Sequence, residues 1–188
     1  ASDTLSLHDA LPICLGSNKS FQNMAPLDLL KCACKDLSGC LAEPSFSSVY
    51  KTKAMYVEDQ EDFYNMCVLG FVADDLDPFQ FLKTINQIEA KYGRDRSKEI
   101  RFGARSLDID IELFGDEHIN HPDLQIPHPR VEERLFVLIP ATEVLNETAD
   151  ELIRGKYIES LEVLKGTEDF ESIKKVVPAQ VVQKWNRN

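Results

Sequence analysis

Residues 101–115 set two arginines, Arg101 and Arg105, just ahead of two carboxylates, Asp108 and Asp110, spaced i, i+2. Leu107, Ile109, Ile111 and Leu113 alternate with Asp108, Asp110 and Glu112, and this period of two predicts a strand with its acids on one face. Two hard anionic oxygen donors side by side suit Mg²⁺, and guanidinium groups beside them suit phosphate oxygens. The combination predicts a site for a nucleoside triphosphate.

An antiparallel strand with one wet face would show the same alternation, so the acids alone decide little. The flanking charge decides more. From Lys91 to Arg105 there are six cations (Lys91, Arg94, Arg96, Lys98, Arg101, Arg105) against two anions (Asp95, Glu99), a local excess of +4 in a chain of net charge -11. A solvated loop in so acidic a protein has little reason to gather positive charge, whereas a triphosphate supplies one.

The elements that must position these groups follow in a regular order. Ile13–Leu15 reads as the end of a strand closed by the turn trio Gly16-Ser17-Asn18. Pro26 to Leu37 carries Leu27, Leu30, Cys34 and Leu37 at helical spacing, with Gly39 as a stop signal. Phe46–Thr52 and Phe63–Ala73 are rich in aromatic and β-branched residues and read as strands. Asp77-Pro78 supplies an N-cap and a first-turn proline to a helix with the stripe Leu82, Ile85, Ile88 and Tyr92. The strand over 106–114 follows. This β-α-β-β-α-β order is that of an α+β, ferredoxin-like core. Beyond it lie the Pro127-His128-Pro129-Arg130 turn, an apolar run over Leu135–Ile139, and one or two helices around 149–175. Those late helices are expected to cover the sheet's other face, giving an α/β/α sandwich.

At 188 residues, with 43% hydrophobic and 28% charged content, the chain suits one globular domain. Its net charge of -11 argues against DNA, RNA or an anionic membrane as main partner, because these polyanions need broad positive surfaces. No run of 18 apolar residues occurs. The five cysteines (Cys14, Cys32, Cys34, Cys40, Cys67) are odd in number and lack zinc-type spacing, so they read as small buried apolar groups in a reduced cytoplasm. Residues 4–13 look like a translated reading frame of a sequencing adapter rather than a secretory signal. Residues 1–13 are therefore expected to be a non-native leader ahead of a single domain over 14–188, with the first strand short or irregular before Ile13.

Four segments carry a family resemblance. They are Leu15-Gly16-Ser17-Asn18; Ser48-Val49-Tyr50-Lys51-Thr52 followed by Asp62-Phe63-Tyr64-Asn65; Arg101-Phe102-Gly103-Ala104-Arg105-Ser106-Leu107-Asp108-Ile109-Asp110; and Pro127-His128-Pro129-Arg130 followed by Glu133-Arg134-Leu135-Phe136-Val137-Leu138. In order and spacing they resemble 6-hydroxymethyl-7,8-dihydropterin pyrophosphokinase, a folate-pathway family, over about residues 14 to 145. The resemblance implies transfer of the β,γ-pyrophosphoryl group of ATP to the pterin hydroxymethyl oxygen with release of AMP. It implies that Asp108 and Asp110 bind two Mg²⁺ ions and that Arg94 and Arg105 neutralise the transferred group. Asn86, Glu89, Arg96, Arg101, Ile111, His128 and Arg134 fall at expected ATP contacts. Gly16, Thr52, Lys53, Met55, Phe63, Asn65, Phe102 and Phe136 match the pterin pocket, where aromatic faces would hold a flat bicycle and an amide would read its edge.

The chain departs from the family pattern in Phe102 for a common tryptophan, Lys53 for a common proline, Phe63 for a common tyrosine, and Glu112 where an apolar residue is usual. No metal ligand or key arginine is lost. Two other classes stay open: a catalytically impaired nucleotide- or pterin-binding protein of the same fold, and a nucleotidyltransferase, which would release pyrophosphate rather than AMP. A P-loop kinase is not supported, since no G-x-x-x-x-G-K-[ST] occurs. The substrates alone, with no protein partner, account for the motifs.

Overall fold

The structure is a computed structural model that describes residues 10–54, 59–101, 103–145 and 151–187. Strand β1 (Ala10–Ser17) runs unbroken against β4 (Phe63–Phe71), from Ala10 opposite Phe71 to Ser17 opposite Tyr64. The expectation of an irregular strand before Ile13 is therefore corrected: Leu11 and Ile13 are fully buried and regularly paired. Pro12 is tolerated for a directional reason. Its carbonyl accepts from Glu112 N at 3.0 Å. In a strand, N and O of one residue point to the same side, so its missing N–H faces the point where β5 (Asp108–Ile111) has ended. Residues 1–9 of the expected leader lie outside the described residues.

Helix α1 (Pro26–Ser38) starts on a proline and buries Leu29, Leu30, Ala33, Cys34 and Leu37. Helix α2 (Pro78–Lys91) is capped by Asp77, whose carboxylate accepts from Phe79 N at 2.7 Å and Gln80 N at 3.2 Å. Its inner stripe is Phe81, Ile85, Ile88 and Glu89, one position off the expected one at Leu82, and it contains an acid.

The strand expected over 46–52 is two pieces, β2 (Ala42–Phe46) and β3 (Val49–Thr52), both antiparallel to β4. The break falls at Ser47-Ser48, where side chains take over the ladder. Cys67 N donates to Ser47 Oγ at 2.8 Å, and Ser48 N donates to Glu143 Oε2 at 2.9 Å. After β5 come a small hairpin, β6 (Ile119–His121) with β7 (Leu124–Ile126), then α3 (Leu135–Val144), α4 (Glu151–Leu164) and α5 (Glu168–Ser172). Strand β8 (Lys174–Val177), which begins at the end of the stretch expected as helices and was not foreseen, pairs with the outer edge of β3, and α6 (Ala179–Val182) follows it. The main sheet has the order β5-β1-β4-β3-β8, with β2 also on β4 and every pairing antiparallel.

Helices α1 and α2 cover one sheet face over Leu11, Ile13, Leu15, Met66, Val68, Ile109 and Ile111. Helices α3 and α4 cover part of the other over Cys14, Cys67 and Leu69. The α/β/α sandwich expected from the sequence is present, and the apolar run at 135–139 is the start of α3. Of the five free cysteines, Cys14, Cys34 and Cys67 are buried, Cys32 is half-buried and Cys40 is exposed, which corrects the all-buried reading. No helix among the described residues is long and apolar enough to cross a membrane.

Candidate active site

Helix α3 leaves part of its sheet face uncovered, and that part holds a cleft of about 350 Å³. Its floor follows from strand register. Gly16 of β1 lies opposite Asn65 of β4 on one side and Asp108 of β5 on the other. A Cβ at Gly16 would approach Asn65 Oδ1 to 2.9 Å, so any side chain there would push the Asn65 amide from its place. Asn65 is 5% exposed and donates to Thr52 Oγ1 at 2.8 Å, which fixes which way its amide faces. Phe63, Thr52 and Lys53 complete this end, and the first turn of α3 brings Phe136 and Val137 across from them.

The other end is charged. Asp108 takes Arg94 Nη1 on Oδ1 and Arg105 Nη1 on Oδ2, at 2.5 and 2.7 Å. Burial pushes its carboxyl up, but the two guanidiniums outweigh this and hold it below the usual carboxylate range. Asp110 has no such pair. Burial and the charge on Asp108 push it up to about 7, with Arg134 pulling the other way. Arg105 is placed from behind by Asn18, whose Oδ1 accepts Arg105 N at 2.8 Å while its own N donates to Arg105 O at 3.0 Å. Gly16 and Ser17, expected as a turn, are the last paired residues of β1, because β4 and β5 extend alongside them, and Ser17 and Asn18 clamp the end of the basic loop; Ser17 Oγ donates to Ser106 O at 2.5 Å.

His128 and Arg134 close the cleft wall. Arg134 lies over the Phe136 ring at 5.7 Å. His128 N donates to Glu112 O at 2.9 Å. Burial, with Arg134 second, lowers the imidazole to about 4. Between that value and the ordinary 6.5 the unfolded chain binds the extra proton, so stability falls as pH drops from about 6.5 to 4. His128→Gln should remove about 1–2 kcal/mol of this acid-side loss. Urea melts of both proteins at pH 7 and 5 check it, and identical slopes would count against a neutral buried His128.

Glu112 corrects an expectation. It continues the alternation of Asp108 and Asp110, yet it is fully buried behind the cleft, near Cys14 and Tyr157, and its carboxylate oxygens have no hydrogen-bond partner among the described residues. Burial, then Asp110, pushes it well above its usual value, and it faces the interior beside His128 Nδ1 at 3.9 Å rather than joining Asp108 and Asp110 in the cleft.

The cleft gathers Gly16, Thr52, Lys53, Phe63, Asn65, Arg94, Arg96, Arg105, Asp108, Asp110, His128, Arg134 and Phe136 from the residues expected at the site. Four others are not on its wall. Asn86 sits on α2, its Oδ1 accepting from Arg96 at 3.2 Å; Glu89 is buried beneath the arginines; Ile111 points into the core under α1 and α2; Arg101 is exposed on the loop. Met55 and Phe102 lie outside the described residues. Cys14, Leu15, Gly103 and Val137 also line the cleft and were not foreseen; Cys14 could have been, since it lies opposite Asp110 once β1 and β5 are paired.

Among the described residues no three His, Cys, Asp or Glu side chains converge on one point as a metal cage. Two adjacent carboxylates in a cleft of arginines nevertheless fit Mg²⁺, which commonly keeps waters and substrate phosphates as its remaining ligands.

A profile of the 7,8-dihydro-6-hydroxymethylpterin-pyrophosphokinase family matches residues 12–146. A Bacillus subtilis protein named 2-amino-4-hydroxy-6-hydroxymethyldihydropteridine pyrophosphokinase is 44% identical over 105 residues, 56% of this chain and 60% of that protein. One of the same name from Haemophilus influenzae is 34% identical over 137 residues, 72% of this chain and 81% of that one. A solved Plasmodium falciparum HPPK-DHPS structure superposes with a TM-score of 0.57 at 15% identity, over 89% of this chain and 48% of the other, a likeness of fold. The match thus spans about three fifths of the Bacillus relative and half of the Plasmodium chain.

Proposed function

Because this chain belongs to the 7,8-dihydro-6-hydroxymethylpterin-pyrophosphokinase family, we propose that it transfers pyrophosphate from ATP to 6-hydroxymethyl-7,8-dihydropterin, giving AMP and the pterin diphosphate for folate synthesis. The observation that carries this reading is one cleft with a polar-edged aromatic end, Phe63, Asn65 and Phe136, joined to a charged end, Asp108, Asp110, Arg94 and Arg105.

The pterin ring lies between Phe63 and Phe136 over Gly16, its edge read by Asn65 and Thr52, with Lys53 beside it. The hydroxymethyl group then points toward Asp108 and Asp110. Arg94 and Arg105 meet the transferred group, and Arg96, His128 and Arg134 hold the rest of the triphosphate. Asp108 and Asp110 would hold Mg²⁺, two ions in this reading, which would supply charge neutralisation at the transferred group. The protein's own part is positioning and electrostatics, because phosphoryl-type transfer spreads charge over oxygens and needs no protein nucleophile. We assign no general base. The residues from Ala10 onward act as one domain in this reading, since β1 begins there and sets Leu11 and Ile13 in the core. The free thiols fit a reducing cytoplasm.

Incubation with ATP, Mg²⁺ and 6-hydroxymethyl-7,8-dihydropterin should release AMP only when the pterin is present. Pyrophosphate in its place would assign nucleotidyl transfer. Binding of both substrates with no product would assign a binding protein.

A further inference from the structure

Arg94 is 5% exposed and lies among three carboxylates that are not equivalent. Glu89, 1% exposed, takes Arg94 Nη1, Arg96 Nη2 at 2.7 Å and Ile109 N at 2.8 Å, so it joins α2, both arginines and the backbone between the two strand acids. Glu99, 22% exposed on the basic loop, accepts Nε at 2.6 Å and Nη2 at 3.3 Å, the two-pronged contact that a phosphate would make. Asp108 takes the remaining contact at the cleft edge.

An incoming phosphate cannot displace Glu89 without stranding a buried carboxylate and leaving Ile109 N and Arg96 without their acceptor. It displaces Glu99 at little cost, because that carboxylate returns to water on an exposed loop.

We propose that Glu89 is a positioning residue that holds Arg94 and Arg96 permanently at the cleft wall, and that Glu99 is an internal stand-in for phosphate which ATP must displace. This rests on the pyrophosphokinase reading and deepens it. It replaces the expected ATP contact at Glu89 with an anchor beneath the ATP site, and it assigns Glu99, which no motif singled out, an inhibitory contact. The two acids should then respond in opposite directions.

The test is calorimetric titration of the full chain in Mg²⁺ with a non-hydrolysable ATP analogue and with AMP, alongside steady-state kinetics. Glu99→Gln should tighten the analogue about three- to tenfold and leave AMP within twofold, because AMP lacks the groups that Arg94 meets. Glu89→Gln should lower kcat at least about tenfold, leave AMP within twofold, and reduce amide-exchange protection at Ile109 and Arg94. Unchanged or weaker analogue binding in Glu99→Gln overturns the stand-in. A parallel loss of AMP and analogue affinity in Glu89→Gln overturns the anchor, since it marks direct nucleotide contact. If Glu89→Gln does not fold, Arg96→Met reads the same tie from its other end: full retention of Arg94 and Ile109 protection together with unchanged kcat overturns it. Binding and exchange are read without turnover, so a wild-type protein that released no AMP would fail the pyrophosphokinase reading separately.

Discussion

Replacing Asp108 or Asp110 by an uncharged residue is expected to lower turnover at least ~10³-fold, the loss of several kcal/mol of transition-state stabilisation when a metal ligand is removed. The same two substitutions should move stability in opposite directions. Asp108 sits between Arg94 and Arg105, so Asp108→Ala removes the carboxylate that Arg105 meets and one of the three around Arg94, and should destabilise the metal-free protein by about 1–2 kcal/mol. Asp110 is half-buried beside a like charge and is pushed up to about 7. Its charged form opposes folding above that pH, so Asp110→Asn should stabilise the metal-free protein by about 1–2 kcal/mol at pH 8, discounted for partial exposure. Thermal melts in chelator, beside AMP release in Mg²⁺, measure both. Near-normal rates in both variants would remove the metal role, and equal destabilisation would remove the electrostatic account of the pair.

Removing Arg94 should slow the chemical step far more than it weakens ATP binding. Arg94→Met is expected to reduce kcat about 10²- to 10³-fold, within the range for losing a cation that meets charge developing in transfer. KM for ATP should change less than about fivefold, because Arg96, Arg105 and Arg134 still line the cleft. Arg94→Lys should restore little. A single ammonium cannot meet Glu89, Glu99 and Asp108 in the fixed directions that one guanidinium reaches. A loss confined to KM would show that Arg94 binds ground-state ATP only.

The sequence by itself determined most of the residues that line the cleft and the order of the elements from β1 to β5. Both are local properties: the alternation of Leu107 to Leu113 fixes a strand and its two faces, Asp77-Pro78 fixes a helix start, and charge density singles out the loop from Arg94 to Arg105. The interruption at Ser47-Ser48 was illegible because it depends on Glu143 and Cys67, residues distant in sequence that accept or replace ladder bonds. Strand β8 was illegible for a similar reason: Lys174–Val177 gains its extended form from the free edge of β3. Residues 10–13 were misread since Leu11 and Ile13 acquire meaning only against β4 and the helices, and Pro12 is harmless only where β5 stops.

Tertiary structure alone decided which acids meet the cleft. Asp108, Asp110 and Glu112 are equivalent in a period-two pattern, yet Glu112 is fully buried near Cys14 and Tyr157 while the first two line the cleft, so one face divides into a buried acid and two cleft-facing ones. Glu89 shows the same limit. A carboxylate on the apolar stripe of α2 reads from sequence as a ligand contact or an anomaly, and only the packing of α2 on β5 reveals the backbone N–H and two guanidiniums that make its burial tolerable. Type and spacing are written along the chain, but desolvation depends on what other segments bring alongside, and here it separates two cleft-facing carboxylates, a buried acid tied to two guanidiniums and a buried acid without a hydrogen-bond partner among the described residues.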